Sequence, residues 1–279
     1  MPTFAADTHP GRVYDHNEDA LALAPERGAF VIADGMGGHA SGEVASRIAA
    51  DAALAAIGNG GLSDALLAAH RAVTRAAAAD ASRAGMGSTI VAAEIADGHA
   101  RIAWVGDSRG YLLRRGRLTR LTRDHSQMNL LLDRAEVDAA DVSRHPQRHV
   151  IMQTLGHGEP QPAEVEARLR AGDRILLCSD GLTDELSDDD IAAILREKLP
   201  LRAAVARLIE RALAKGGRDN VSIVLIECGR SDAASLYERA LLRMREARLG
   251  PMWWPAIGGF GAALLAAIAV WILKSWMTK

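Results

Sequence analysis

Apolar positions in this chain come in short blocks that stop at an acid. Val31, Ile32 and Ala33 run into Asp34 and then turn over Gly35, Met36, Gly37 and Gly38. A brief apolar run bounded by glycines predicts a buried strand rather than a helix. The figure returns at Ile102-Ala103-Trp104-Val105-Gly106, which ends in Asp107-Ser108, and at Ile175-Leu176-Leu177-Cys178-Ser179, which ends in Asp180-Gly181. Asp219-Asn220 stands ahead of the run 221–226. Four acids at four strand ends predict strands converging on one carboxylate cluster. Carboxylates gathered there stay ionised only beside cations or several hydrogen-bond donors.

Between these blocks the period changes. Residues 3–23 open the chain in extended form, with Gly11 to Asp19 polar and 20–24 apolar. Ser41 caps a predicted helix to about 57, with Val44, Ile48 and Ala52 on one face and Gly58-Asn59-Gly60-Gly61 ending it. Ser63 caps a second, to about 81, whose predicted buried side holds Leu66, Leu67, His70, Val73 and Thr74. His70 there reads as a helix-face residue rather than a ligand. Two hairpins follow, 88–95 with 99–105 across Asp97-Gly98, and 110–114 with 117–121 across Arg115-Gly116. Residues 124–160 are polar and irregular, the mark of a surface flap. Ser187 and Asp190 form a capping box opening a helix to about 198, so Asp188 and Asp189 read as helix-terminus charges. Pro200 begins another, with Leu201, Val205, Leu208, Ile209 and Leu213 inward and Gly216-Gly217 as its stop.

At 279 residues the chain has ample length for a sizeable core. A formal net charge of -2, with no basic stripe in the first 230 residues, excludes a general affinity for nucleic acid. Arg114, Arg115, Arg117, Arg120 and Arg123 look like a basic patch, but most of them read as solvated strand and turn positions rather than a binding site. Cys178 and Cys228 lie in apolar runs and read as reduced core thiols.

The C-terminal pattern is of another kind. Residues 252–273 carry no charge, and at about 1.5 Å per residue they reach about 33 Å, enough to span a bilayer core of about 30 Å. Trp253, Trp254, Trp271 and Trp276 stand near the two ends, where interfacial aromatics belong. The expected organisation is a domain at 1–230, an Arg-rich juxtamembrane segment at 231–251, a transmembrane helix at 252–273 and a tail at 274–279. Arg239, Arg243, Arg245 and Arg248 precede the apolar segment, and only Lys274 and Lys279 follow it. That bias, with no secretory signal at the N-terminus, predicts a domain on the cytoplasmic side. Gly258, Ala262 and Ala266 form a small-residue face, too common a pattern to predict a dimer by itself.

The chemistry-bearing motifs run in one order: Asn17-Glu18-Asp19, Asp34-Gly35-Met36-Gly37-Gly38-His39, Ala40-Ser41-Gly42-Glu43, Gly87-Ser88-Thr89, Gly106-Asp107-Ser108-Arg109, Ser179 to Asp184, and Asp219-Asn220. In these the chain resembles the metal-dependent protein serine/threonine phosphatases of type 2C, the PPM family, in its bacterial form. The resemblance covers about residues 8–227. It implies an α+β fold, a central sandwich of two antiparallel sheets with helices on both outer faces. It also implies two Mg²⁺ or Mn²⁺ ions, held by Asp34, the Gly35 carbonyl, Asp180, Asp219 and Glu18, with Asp107 and Asp180 at a third, weaker site. Asp19, Asp184 and Asn220 would orient those ligands, and His39 is a further candidate for that role. Asp34, Asp180 and Asp219 are the residues on which catalysis would rest.

The residue types agree. Oxygen-only donors suit hard cations, and no His or Cys spacing suits zinc. The expected reaction is hydrolysis of phosphoserine and phosphothreonine on proteins, by a water or hydroxide bridging the two ions, reversing a serine/threonine kinase of the same bacterium. No Cys-x₅-Arg loop and no Gly-x-Ser-x-Gly elbow offers a side-chain nucleophile. Two positions depart from the family pattern. Tyr14 stands where an Arg grips the substrate phosphate, and Arg12, on the same face of an extended segment, is the candidate substitute. Met36 stands where eukaryotic members carry a His proposed as the acid. A phosphoprotein-binding module with impaired turnover is the rival reading; a nuclease would need a basic face that is missing.

Overall fold

The computed structural model describes residues 2–37, 41–138, 147 and 150–229. Its strands are β1 (Thr3–His9), β2 (Asp19–Ala24), β3 (Ala29–Met36), β4 (Gly87–Ala96), β5 (His99–Val105), β6 (Arg109–Arg114), β7 (Arg117–Arg120), β8 (Ala163–Arg168), β9 (Arg174–Cys178) and β10 (Val221–Glu227). Its helices are α1 (Ser41–Ala56), α2 (Leu62–Ala79), α3 (Gln127–Asp133), α4 (Asp180–Thr183), α5 (Asp188–Arg196) and α6 (Leu201–Lys215). The strands form two five-stranded antiparallel sheets, in the orders β1-β10-β9-β6-β7 and β2-β3-β4-β5-β8.

Alternation along the strands builds three apolar layers. Phe30 and Ile32 of β3, with Val91, Ile102 and Trp104, meet Ile175, Leu177, Val224 and Ile226 of the other sheet. Their neighbours Ala29, Val31 and Ala33 face the opposite way, onto α1 and α2 through Ala45, Ala49, Leu66 and Val73. Leu176 and Cys178 of β9 and Ile223 and Leu225 of β10 turn outward onto Ile191, Leu195, Val205 and Leu208 of α5 and α6. A strand buried on both faces needs apolar residues at every position, which is why these runs show no polar alternation. Truncating a side chain as enclosed as Phe30 would cost about 3–5 kcal/mol.

The two hairpins form as expected. Asp97 and Gly98 have φ of 49° and 77°, and Arg115 and Gly116 have 51° and 79°. Two successive left-handed residues match the twist of the flanking strands. Ser187 and Asp190 make the predicted capping box, although α5 ends at Arg196 rather than near 198.

Other expectations are corrected. The second helix is not capped by Ser63. It begins at Leu62, the Asp64 carboxylate accepts from the Gly61 N–H, and the Ser63 hydroxyl donates instead to Glu164 Oε2 at 2.8 Å. Thr74 is exposed, because Leu62, Ala65, Leu66, Ala69 and Val73 form the inward stripe. α1 begins at Ser41 itself, whose hydroxyl donates to the Ser82 carbonyl. The edge strand β8 and the short helices α3 and α4 were not anticipated. Among the described residues no helix is long and apolar enough to cross a membrane; the predicted segments 231–251 and 252–273 lie outside them.

Candidate metal centre

Antiparallel pairing gathers particular strand ends on one edge of the sandwich. In one sheet these are the start of β2, the end of β3 and the end of β5; in the other, the end of β9 and the start of β10. Asp19 lies opposite Asp34, and Asp34 opposite Thr89 on β4. Ile90 pairs with Val105, which brings Gly106 and Asp107 next along that edge. Cys178 pairs with Ile223, so Ser179-Asp180 and Asp219-Asn220 leave the second sheet together. The expected acids are thus brought to one place from both sheets.

Glycines let the carriers close up. A Cβ on Gly35 would come within 2.0 Å of the Gly42 carbonyl oxygen, and one on Gly181 within 2.1 Å of the Asn220 carbonyl oxygen. The Gly35 N–H donates to the Glu18 carbonyl at 3.0 Å, and the Ser88 hydroxyl to the Asp34 carbonyl at 2.9 Å. Asn220 ties the loop that carries Glu18. Its Oδ1 accepts from the Glu18 N–H at 2.7 Å, and its amide donates to the Pro10 and His16 carbonyls at 2.8 and 3.2 Å. Asp19 is buried, and its Oδ2 accepts from the Ser179 hydroxyl of the opposite sheet at 2.8 Å.

The electrostatics of this edge are unfavourable to the ionised acids. Burial lifts Asp34 well above the usual carboxylate range, and Asp19, Asp180, Asp107 and Asp219 add to it in that order. Asp180 is lifted likewise by burial, then by Asp107, Asp184, Asp219 and Asp19. Burial raises Asp107 to about 7, with Asp124 next, and Asp19 to about 7 despite the Ser222 and Ser179 bonds. Glu18 and Asp219 are also raised, chiefly by burial.

Three buried carboxylate oxygens, Asp19 Oδ1, Asp107 Oδ1 and Asp180 Oδ1, accept no hydrogen bond. A buried acceptor without a donor is costly, so a cation is the partner this edge is built to take. The donors are all oxygen, which fits Mg²⁺ or Mn²⁺. Among the described residues no three His, Cys, Asp or Glu side chains close on one point by themselves.

Remaining expectations divide. Asp184 is exposed just after α4, its N–H donating to the Asp180 carbonyl at 2.8 Å. The extended segment expected to put Arg12 and Tyr14 on one face is instead a turn over 11–13 followed by bends, because Gly11 is left-handed; Arg12 is exposed there beside the Asp219 loop, its N–H donating to the Gly217 carbonyl at 2.7 Å. Val13 and Tyr14 follow it, 64% and 54% exposed, so the family's phosphate-gripping position presents a phenol to solvent. His39 lies outside the described residues.

Sequence reasoning missed several supports. The His125 N–H donates to the Gly106 carbonyl at 2.8 Å, its Nδ1 accepts from the Gly106 N–H, and its ring stacks on Trp104. Arg109 makes a two-pronged pair with Asp124, Nη2 to Oδ2 at 2.8 Å. Glu185 pairs with Arg218 beside the Asp219 loop. Each partner is distant in sequence, and no local pattern announces it.

Comparisons with known proteins agree with this layout. The model of the family described as Protein phosphatase 2C matches residues 12–222. Serine/threonine protein phosphatase PstP of Mycobacterium tuberculosis is 42% identical over 233 residues, covering 80% of this chain and 44% of that protein. The chain thus spans less than half the length of that relative. Serine/threonine phosphatase stp of Listeria monocytogenes is 34% identical over 244 residues, covering 79% of this chain and 93% of its own. The crystal structure of the Mycobacterium tuberculosis PstP superposes with a TM-score of 0.76 at 38% identity, covering 82% of this chain and 99% of that one. The catalytic domain of PstP in complex with two manganese ions gives 0.70 at 37%, covering 81% and 97%.

Proposed function

The chain belongs to the protein phosphatase 2C family, and from that premise we propose that it hydrolyses phosphoserine and phosphothreonine on proteins with two bound divalent cations. The observation that carries this reading is the set of partnerless buried oxygens on Asp19, Asp107 and Asp180, amid acids drawn from both sheets. Asp34, the Gly35 carbonyl, Asp180, Asp219 and Glu18 would hold the pair of ions, and Asp107 with Asp180 a third. Mg²⁺ or Mn²⁺ bound there supplies a water of lowered pKa and charge neutralisation for in-line displacement at phosphorus.

The chain's own residues set the rest. Asp19 and Asn220 orient the carriers through the Ser179 and Glu18 bonds described above. Cys178 is buried and its thiol is pushed up to about 12 by burial, so it offers no thiolate nucleophile. Arg12, on the turn beside the Asp219 loop, is our candidate to meet the substrate phosphate in place of the family's arginine.

Substrate phosphate comes from ATP-dependent serine/threonine kinases, and a kinase of the same cell is the expected counterpart. Residues 252–273 anchor the chain as a single transmembrane helix, with the catalytic domain cytoplasmic, a reading supported by the uncharged span, its flanking tryptophans and the four preceding arginines. The test is turnover of a phosphothreonine peptide and a small phosphate ester, with and without Mn²⁺, beside calorimetric Mn²⁺ titration. Metal binding without turnover would favour the phosphoprotein-binding module instead. Fractionation of spheroplasts tests the anchor: the full chain should pellet with membranes and resist external protease.

A further inference from the structure

Glu185 lies just past α4, the short helix that begins at Asp180, and its side chain is only 4% exposed. A buried carboxylate needs donors, and among the described residues both that it has come from one residue of another segment. The Arg218 backbone N–H reaches Glu185 Oε1 at 3.2 Å and the Arg218 Nε reaches it at 2.9 Å. Gly216 packs so closely that a Cβ there would stand 2.7 Å from the same oxygen. The carboxylate therefore fills the hollow of the 216–218 loop and binds that loop at its last residue before Asp219. A second close approach joins the same two segments where Gly181 abuts the Asn220 carbonyl.

We propose that Glu185 is a positioning residue that sets the separation of Asp180 and Asp219, and so the fit of the metal pair. The inference rests on the metal-dependent reading given above. Asp180 and Asp219 leave different strands, β9 and β10, and repel each other. Backbone pairing of those strands fixes Cys178 against Ile223, and Ser179 continues it, its N–H donating to the Ser222 carbonyl at 3.1 Å and its hydroxyl to the Asn220 carbonyl at 3.4 Å, but neither reaches past the acids to the 216–218 loop. Beyond that point the Glu185–Arg218 bonds hold the loop in register. The Arg218 end of the pair is 64% exposed, so its free energy as an isolated ion pair is small. What the buried carboxylate supplies is geometry, through one charge-assisted bond and one to the backbone.

The experiment is calorimetric titration of Mn²⁺ into the full-length chain and three variants, with turnover of a small phosphate ester at saturating Mn²⁺ as a second readout. Glu185→Ala should weaken Mn²⁺ binding about tenfold, the scale on which removing a ligand's outer support acts. Turnover should return toward the wild-type value once Mn²⁺ saturates. Glu185→Gln keeps an acceptor for both Arg218 donors and should retain affinity within about twofold, about a third of the expected loss on a logarithmic scale. Arg218→Ala, at an exposed position, should fold and lose affinity in the same direction, by less. If Glu185→Ala does not fold, the contrast between Glu185→Gln and Arg218→Ala decides the matter. Unchanged Mn²⁺ affinity in Glu185→Ala, or in Arg218→Ala where the other is unfolded, overturns the positioning role while leaving the phosphatase reading intact. A wild-type chain that binds no Mn²⁺ overturns both.

Discussion

Asp19 and Asp34 face each other across β2 and β3, paired residue to residue at the end of the sheet where the acids gather. Like charges directly opposite on paired strands repel, and burial makes the repulsion stronger. Asp107, at the end of β5, belongs to the same field and is raised to about 7. The apo protein therefore carries a defined strain. A carboxylate raised in the folded state costs nothing below its unfolded pKa, near 3.8, and the penalty grows as pH rises toward the folded value. Asp107→Asn removes one such group. Without metal, the variant should match wild type near pH 4 and exceed it in Tm by pH 8, by about 2–4 °C for each kcal/mol relieved in a domain of this size. With saturating Mn²⁺ at pH 8 the order should reverse. Thermal melts of both proteins across that range, with EDTA or Mn²⁺, are the measurement; a metal-free difference that shrinks as pH rises contradicts the assignment.

Removing ligands one at a time separates the expected roles. Asp34→Ala, Asp180→Ala and Asp219→Ala should each abolish most turnover and weaken Mn²⁺ binding, since each deletes a carboxylate that would hold the ion pair. Asp107→Ala should leave the tight pair bound yet lower turnover. Mn²⁺ titration beside phosphate-ester kinetics distinguishes the two patterns. Near wild-type Mn²⁺-dependent activity in Asp34→Ala would show that the centre lies elsewhere.

Much of this centre was legible before the structure because the signal is local. An apolar block ending in an acid marks a buried strand leaving the sheet, and three such marks located Asp34, Asp107 and Asp180, while Asp219-Asn220 ahead of the run 221–226 marks a strand entering it. The two hairpins were legible for a similar reason: Gly98 and Gly116 each follow a residue that also turns left-handed. β8 was not, since Ala163–Arg168 alternates glutamate and arginine with small apolar residues and is half exposed at a sheet edge. β1 pairs Thr3 with Glu227, almost the full length of the domain away, and no neighbouring residue hints at it. The same holds for His125 against Gly106 and Glu185 against Arg218. What supports a ligand is set by tertiary contact, whereas the ligand itself is set by strand punctuation.

The phosphate-binding position offers a sharper test because the sequence departs from its family there. Arg12 sits in the 11–13 turn, its N–H on the Gly217 carbonyl, and Tyr14 follows it, exposed. If Arg12 meets the phosphate, Arg12→Ala should raise KM for a small phosphate ester about tenfold with kcat little changed, the loss expected of one charge-assisted contact. Tyr14→Arg should lower KM or leave it alone. Steady-state kinetics at saturating Mn²⁺ reads both, and an unchanged KM in Arg12→Ala assigns the phosphate to another residue.

Asn220 gives a prediction in which size plays no part. Its side chain donates twice, to Pro10 and His16, and accepts once, from the Glu18 N–H. It is 5% exposed, so water cannot replace those partners. Asn220→Asp keeps the shape and the acceptor but turns the double donor into a second acceptor facing two carbonyls. It also adds a charge beside Asp219 and Glu18. The Pro10 and His16 bonds are part-buried, so losing their donors costs toward the lower end of about 1–3 kcal/mol each, and a loss of about 2–3 kcal/mol is expected at pH 8. A protonated aspartic acid recovers one donor, so the gap from wild type should narrow as pH falls toward 5, which a mere packing defect would not do. Urea unfolding of the metal-free proteins at the two pH values makes the comparison. A loss independent of pH would mean that the amide fills space without tying the Glu18 loop to β10.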